Sequence, residues 1–275
     1  MASQTAATVR RVGVRIGLRT VVLVYLTLLL VCPLALVLYK TFENGLGPVI
    51  DSLTTPSTQH AIQITLVVAF WAVVANTIFG VTAALLLVRH TFHGKRTLNA
   101  LIDLPLAVSP VVVGLSLVLV YGRLTGVGKA LAGIGINVIF SIPGMVMATI
   151  FVSIPLVVRA VAPVLEEIGD DQEQAAATLG AGPVQTFRRI TLPSIRGALA
   201  YGVVLALARS LGEYGAVAVV SGRVQGQTET ATLRVEERYD SFDLQGAYAI
   251  SLVLALLAVL VLIAMTLFQR TEETA

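Results

Sequence analysis

The sequence predicts an all-α, polytopic membrane protein with six transmembrane helices. Three observations predict it. The 275 residues are 56% hydrophobic and only 13% charged, whereas a soluble domain is about a quarter charged and under half apolar. Six apolar runs are each long enough to cross about 30 Å of hydrocarbon, which takes roughly 20 helical residues. Lysine and arginine crowd into alternate loops, the bias that orients membrane helices. In lipid the backbone has no water to bond, so each run must be helical.

The elements follow in order. Residues 1–18 form a basic, polar N-terminal tail that includes Arg10, Arg11 and Arg15. The first span, 19–39, has an apolar run longer than the 7–15 residues of a signal-peptide core, with no clear small-x-small cleavage site after it. It is read as a retained helix. The lone Cys32 lies in it and has no partner for an internal disulfide. The second span is 61–88, and the short turn "RHTFHGKRT" (89–97) leads to the third, 98–121. The fourth is 138–162. Pro105, Pro110, Pro143 and Pro155 sit in the third and fourth spans, where a missing N–H kinks a helix, as a hinge or simply as a fit of shape. The fifth span, 197–221, is dense in small residues such as Ala206, Gly212 and Gly215, which let helices approach closely in lipid. The sixth is 246–268, and 269–275 form a C-terminal tail. The transmembrane domain is thus 19–268, with 61–268 as its core and the first span at its side. No tandem repeat is visible.

With the N-terminus inside, the inner loops and tails hold Arg10, Arg11, Arg15, Arg19, Arg89, Lys95, Arg96, Arg159, Arg188, Arg189, Arg196 and Arg270. The outer loops hold Lys40, Arg123, Lys129, Arg223, Arg234 and Arg238. Both termini are therefore expected in the cytoplasm. The net charge of +3 reflects this bias and gives no reason to invoke nucleic acid.

One polar segment, 166–193, interrupts the apolar pattern on the inner side. Glu166, Glu167, Asp170 and Asp171 precede "AAATL", and acids suit the positive end of a helix. Gly180 is placed to end that helix. Pro183 opens a second short helix with Arg188 and Arg189 in its last turn, and Pro193 breaks it before the fifth span. The bland reading is an amphipathic elbow on the membrane surface.

The spacing resembles the EAA motif of binding-protein-dependent ABC importer permeases, E-A-A-x3-G-x9-I-x-L-P. Ala175, Ala176, Gly180, Ile190, Leu192 and Pro193 fall on register. Gln174 holds the Glu position, keeping its length and hydrogen bonding but not its charge, with Glu173 one residue earlier. "DLPLAVSPVVVGL" (103–115), "FSIPGMVMATIFVSIPLVVR" (140–159), "ALARSLGEYGAVAVVSG" (206–222) and "VQGQTETATLRVEERY" (224–239) are similar to the sulfate/thiosulfate permeases of the CysW type. The resemblance covers roughly 20–268. It implies the type I importer permease fold in a prokaryotic inner membrane. It implies that Glu173, Gln174, Ala175, Ala176, Gly180, Arg188, Leu192 and Pro193 dock the segment into an ATPase. The implied partners are a second, CysT-like permease, two copies of a CysA-like ATP-binding subunit, and an extracytoplasmic sulfate-binding protein. ATP and Mg would be bound by the ATPase and no cofactor by this chain, which itself would catalyse no covalent chemistry.

Arg209 and Glu213 lie four residues apart in the fifth span, on one helix face. Charges within a span face a bundle interior, a partner or water. They either line a path for a dianion or form a structural ion pair. Asp103 is either their partner or a charge at a helix N-terminus, and the nearby Pro105 favours the second. "GRLTGVGKA" (122–130) fails as a phosphate loop, since Arg123 and Ala130 occupy the required Gly and Ser/Thr places. His90 and His93 give two ligands, too few for zinc. A molybdate or tungstate permease is the nearest alternative. An ion-coupled secondary transporter would show inverted repeats, which are not evident, and a scaffold without transport gives Arg209 and Glu213 no task.

Overall fold

The computed structural model describes residues 17–273, and among them every regular element is a helix. Most of the expected N-terminal tail, 1–16, lies outside the described residues. α1 is Gly17–Phe42. Then come α2 (Gly47–Thr54), α3 (Pro56–Arg89), α4 (Lys95–Ala107), α5 (Pro110–Tyr121), α6 (Gly126–Gly133), α7 (Ile142–Ile168) and α8 (Asp171–Thr178). The chain continues through α9, Pro183–Leu211, then α10 (Gly215–Val220), α11 (Ala231–Asp240) and α12 (Leu244–Glu273).

Helices α1, α3, α7, α9 and α12 are long and apolar enough to cross a membrane, which gives five spans, or six where α4 and α5, bent by 113° at their break, count as one. The expected third span is therefore broken rather than kinked. Val108 and Ser109 are extended, with ψ of 136° and 134°, because Pro110 crowds its preceding residue out of the helical region. Pro143 sits in the first turn of α7, while Pro155 and Pro163 ride inside it.

The expected fifth span differs at both ends. α9 stops at Leu211 and α10 starts at Gly215, leaving Gly212–Tyr214 outside helix. At its other end α9 reaches back to Pro183, so Pro193 does not break a helix there, and Arg188 and Arg189 do not close one. Proline has no N–H for the carbonyl four residues back. The helix absorbs this with a π-helical turn at Phe187–Thr191, in which the Leu192 N–H donates to Phe187 O. The expected loops 40–60, 122–137 and 222–245 each contain a short helix: α2, α6 and α11.

The core forms where α3, α7 and α9 meet. Val81, Ala84 and Leu87 of α3 pack with Val157, Val161 and Leu165 of α7 and Ile195 and Ala206 of α9. A second cluster joins Ile64 and Val68 of α3, Met145 and Val152 of α7, Val217 and Val220 of α10, and Leu233 of α11. Close approach sets the first crossing. A Cβ on Gly80 would stand 2.6 Å from Val157 Cβ, and one on Gly202 would stand 2.9 Å from Ala160 Cβ. Asn76 Nδ2 donates to Ser153 Oγ at 2.8 Å, pairing two polar groups that lipid could not satisfy. α1 stays outside this core, with no residue of its apolar window buried.

α3 has 34 residues and so extends roughly 50 Å at 1.5 Å per residue. Near its start, Thr65 Oγ1 accepts from the Ala231 N–H of α11 at 2.8 Å. Its last residue, Arg89, holds the polar segment around α8. The two polar ends of the molecule thus lie at opposite ends of one helix.

Candidate functional site: a latched polar elbow and a broken span

The segment 166–193 is an elbow, assembled differently from the sequence expectation. Glu166 and Glu167 belong to the end of α7, which Gly169 terminates with φ of +69°. Asp171 and Glu173 alone supply the acidic first turn of α8. Gly180 ends α8 as expected. Its φ is +85°, a conformation that side chains with a Cβ resist. The Gly180 N–H donates to Ala177 O at 3.0 Å and the Ala181 N–H to Ala176 O at 3.0 Å, the paired closure of a Schellman turn. Leu179 (88% exposed) and Val184 (71%) project from the elbow. Gln174, Ala175, Arg188 and Pro193 are exposed too, Ala176 is buried and Leu192 half-buried.

Glu173 is half-buried and makes its contacts inside the chain. Arg89 Nε pairs with Glu173 Oε2 at 2.9 Å, while Arg89 Nη1 donates to Leu165 O at 2.9 Å and Nη2 to Gly169 O at 2.7 Å. Thr191 Oγ1 donates to Glu173 Oε1 at 2.8 Å. One guanidinium and one carboxylate therefore tie the end of α3, the end of α7, α8 and the π-turn of α9 together. Arg89 also meets the carbonyl end of α7, where a cation is favoured. Neither Arg89 nor Thr191 was identifiable as a site residue beforehand. Arg89 entered only as a loop cation, and its partner is 84 positions away.

At the break in the fifth span, Arg209 Nη1 pairs with Glu213 Oε2 at 2.7 Å. The two do not share a helix, because Glu213 lies beyond the end of α9. They are also unlike each other: the Glu213 side chain is 2% exposed and that of Arg209 is 39%. Glu213 Oε1 accepts from the Ala216 N–H at 2.9 Å, serving the first turn of α10. Thr232 Oγ1 of α11 donates to Glu213 O at 2.9 Å. Glu213 is built into the fold, and Arg209 is the member that reaches open space.

Asp103 does not join them and is not at a helix N-terminus. α4 begins at Lys95, which puts Asp103 in its middle. There it forms an ion pair with Arg159 of α7, whose Nη2 also donates to Asn99 Oδ1 at 3.0 Å. Arg159 lines a cavity of about 610 Å³ with Lys95, Arg96 and Glu166. His90 and His93 are exposed. Among the described residues no three His, Cys, Asp or Glu side chains gather to hold a metal ion.

Long apolar helices packed in one bundle, with an exposed, internally latched elbow at one end, define a multi-pass membrane protein. The chain belongs to the family described as binding-protein-dependent transport system inner membrane component, which matches residues 76–273. It is thus a multi-pass inner-membrane protein. It is 47% identical over 241 residues to the sulfate transport system permease protein CysW of Synechocystis sp., covering 88% of this chain and 87% of that one. CysW of Escherichia coli strain K12 is 41% identical, over 89% and 84%. The sulfate permease protein CysT of Salmonella typhimurium is 38% identical, over 90% and 89%. Among solved structures, a bacterial ABC transporter that imports alginate matches the fold with a TM-score of 0.80 at 16% identity, over 98% of this chain and 99% of that one.

Proposed function

We propose that this chain is the membrane-spanning permease subunit of an ATP-driven importer of sulfate, and of thiosulfate as a close analogue. The relatives named as sulfate permeases span nearly the whole chain, which supports the substrate class. A second, CysT-like permease completes the path. Two copies of an ATP-binding subunit receive the elbow, and an extracytoplasmic sulfate-binding protein delivers the anion. The elbow and both termini lie in the cytoplasm, and the loop carrying α11 lies outside. ATP and Mg belong to the ATPase; this chain supplies coupling and a path.

The observation that carries this reading is the Arg89–Glu173–Thr191 latch. An elbow lying loosely on a membrane has no need of it. A coupling element does, because a pull on α8 must reach the bundle without slack. ATP-driven closure of the motor moves α8, the latch passes the motion to α3, α7 and α9, and α9 carries Arg209 at its far end. Arg209 offers positive charge to the dianion, and the buried Glu213 offsets that charge so the anion can leave, since attraction grows as the dielectric falls. The test is reconstitution with the cognate ATPase and binding protein, measuring ATP-dependent uptake of labelled sulfate against molybdate. Sulfate uptake that needs ATP is the expected result, and uptake of molybdate alone would overturn the substrate assignment.

A further inference from the structure

At the end of the molecule opposite the elbow, residues 223–243 hold five carboxylates (Glu229, Glu236, Glu237, Asp240, Asp243) and three guanidiniums (Arg223, Arg234, Arg238), a net charge of −2. Arg223 pairs with Glu236 at 3.0 Å, Arg234 with Glu237 at 3.0 Å, and Arg238 with Asp243. Glu229 is left poorly served. It is 3% exposed, its Oε2 accepts no hydrogen bond, and its nearest cation, Arg234 Nη1, stands 3.7 Å away. Its burial, above all, holds the carboxyl above the usual range against the lowering pull of Arg234, with the Glu237 charge adding to the effect. A buried carboxylate without a donor is costly, and in folded proteins such groups have a reason.

Glu229 borders a cavity of about 240 Å³, together with Arg223, Glu236, Glu237 and Asp240. At about 30 Å³ per water, this is room for one long side chain and not for a folded segment. A divalent ion fits poorly, because among the described residues no three carboxylates converge on one point. An extended cation with several donors fits the requirement. One bond joins the cavity lining to the broken span, the Tyr214 hydroxyl donating to Glu236 Oε1, and elsewhere on α11 Thr232 donates to Glu213 O.

We propose that this cavity receives a lysine or arginine side chain of the extracytoplasmic anion-binding protein, with Glu229 and Glu236 as its counter-ions. The inference rests on the importer reading above. Charge complementarity selects the occupant, because the cavity is acidic and lacks one donor. The incoming cation competes with Arg223 for Glu236, and Glu236 in turn holds Tyr214, so arrival of the binding protein is registered at the break beside Arg209.

The test uses the assembled transporter in lipid nanodiscs and its cognate binding protein. Affinity is measured at low and at high salt for the wild type, Glu229→Gln, Glu236→Gln and Asp240→Asn. Loss of a countercharge should weaken binding about tenfold at low salt and flatten its salt dependence. Subunit co-purification reports assembly, and if Glu229→Gln fails to assemble, the exposed Asp240→Asn and the rim Glu236→Gln still decide. Unchanged affinity in variants of a transporter that docks and imports normally overturns this inference alone. A wild type that neither docks a binding protein nor imports anion overturns the importer reading with it. Calcium chloride that raises the melting temperature of the wild type but not of Glu229→Gln would make the cavity an inorganic cation site and overturn the docking assignment.

Discussion

At the residue scale, Arg209 and Glu213 separate into two tasks that one substitution each can distinguish. Glu213 is buried and bonds the Ala216 amide, so Glu213→Gln should lower stability by about 1–3 kcal/mol, the cost of disturbing a hydrogen bond to a buried charge. Arg209 is partly exposed, so Arg209→Gln should assemble normally yet lose most sulfate uptake. Thermal melting and vesicle uptake, measured on both, give opposite rankings if this division holds. Equal losses of stability would make the pair purely structural. Glu229 gives a pH signature of its own. Burial raises its pKa from an ordinary 4.5, so the folded state holds that proton more tightly than the unfolded state does. The resulting stability is fully present below pH 4.5 and is lost as pH rises through the raised folded value. Glu229→Gln fixes the neutral form, so its melting temperature should fall less than that of the wild type across this window. Parallel pH profiles would show that Glu229 titrates normally.

At the element scale, the proposed coupling makes Arg89 the residue through which the elbow moves the bundle. Arg89→Gln removes the ion pair with Glu173 and bonds to two carbonyls. It should leave the ATPase able to dock, because the projecting Leu179 and Val184 are untouched. The expected outcome is ATP hydrolysis with several-fold less sulfate imported per ATP. An unchanged ratio of uptake to hydrolysis would show that coupling travels by another route. Gly80→Leu tests the other half of the mechanism. It forces side-chain atoms into Val157 and should cost about 1–3 kcal/mol as overpacking, read as a lower melting temperature. The helices that span were legible because lipid demands unbroken apolar length. The breaks at Val108–Ser109 and Gly212–Tyr214 were not, since a proline or glycine within an apolar run also serves as a kink or a close-packing point, and only the folded chain shows where pairing stops. Gly180 was legible because its αL role is local. Arg89 was not, because its partners lie 76 to 84 positions away. Pro193 misled for a physical reason: a π-turn accommodates a proline that would otherwise end the helix.

At the scale of the whole molecule, the fold sets its two polar ends roughly 50 Å apart along α3, each tied to that helix by side chains. Arg89 ties the elbow, while Ser57 and Thr65 tie α11. On the proposed coupling, one continuous helix between the motor contact and the outer contact suits alternating access, because it links the two ends directly. The same geometry makes the orientation testable with two cysteines in a background lacking Cys32, an exposed residue of α1. Val184→Cys stands at the elbow and Gln227→Cys in the loop before α11, and both positions are exposed, so failure to label cannot be blamed on burial within this chain. With lysine and arginine concentrated in the loops on the elbow side, an impermeant thiol reagent added to intact cells should modify Gln227→Cys and spare Val184→Cys. Permeabilised cells should label both. Docking of the ATPase should then protect Val184→Cys in the assembled transporter, a readout that membrane sidedness alone does not produce. Labelling of Val184→Cys in intact cells would invert the topology, placing the elbow beyond reach of any cytoplasmic motor, and the coupling mechanism would fall with it.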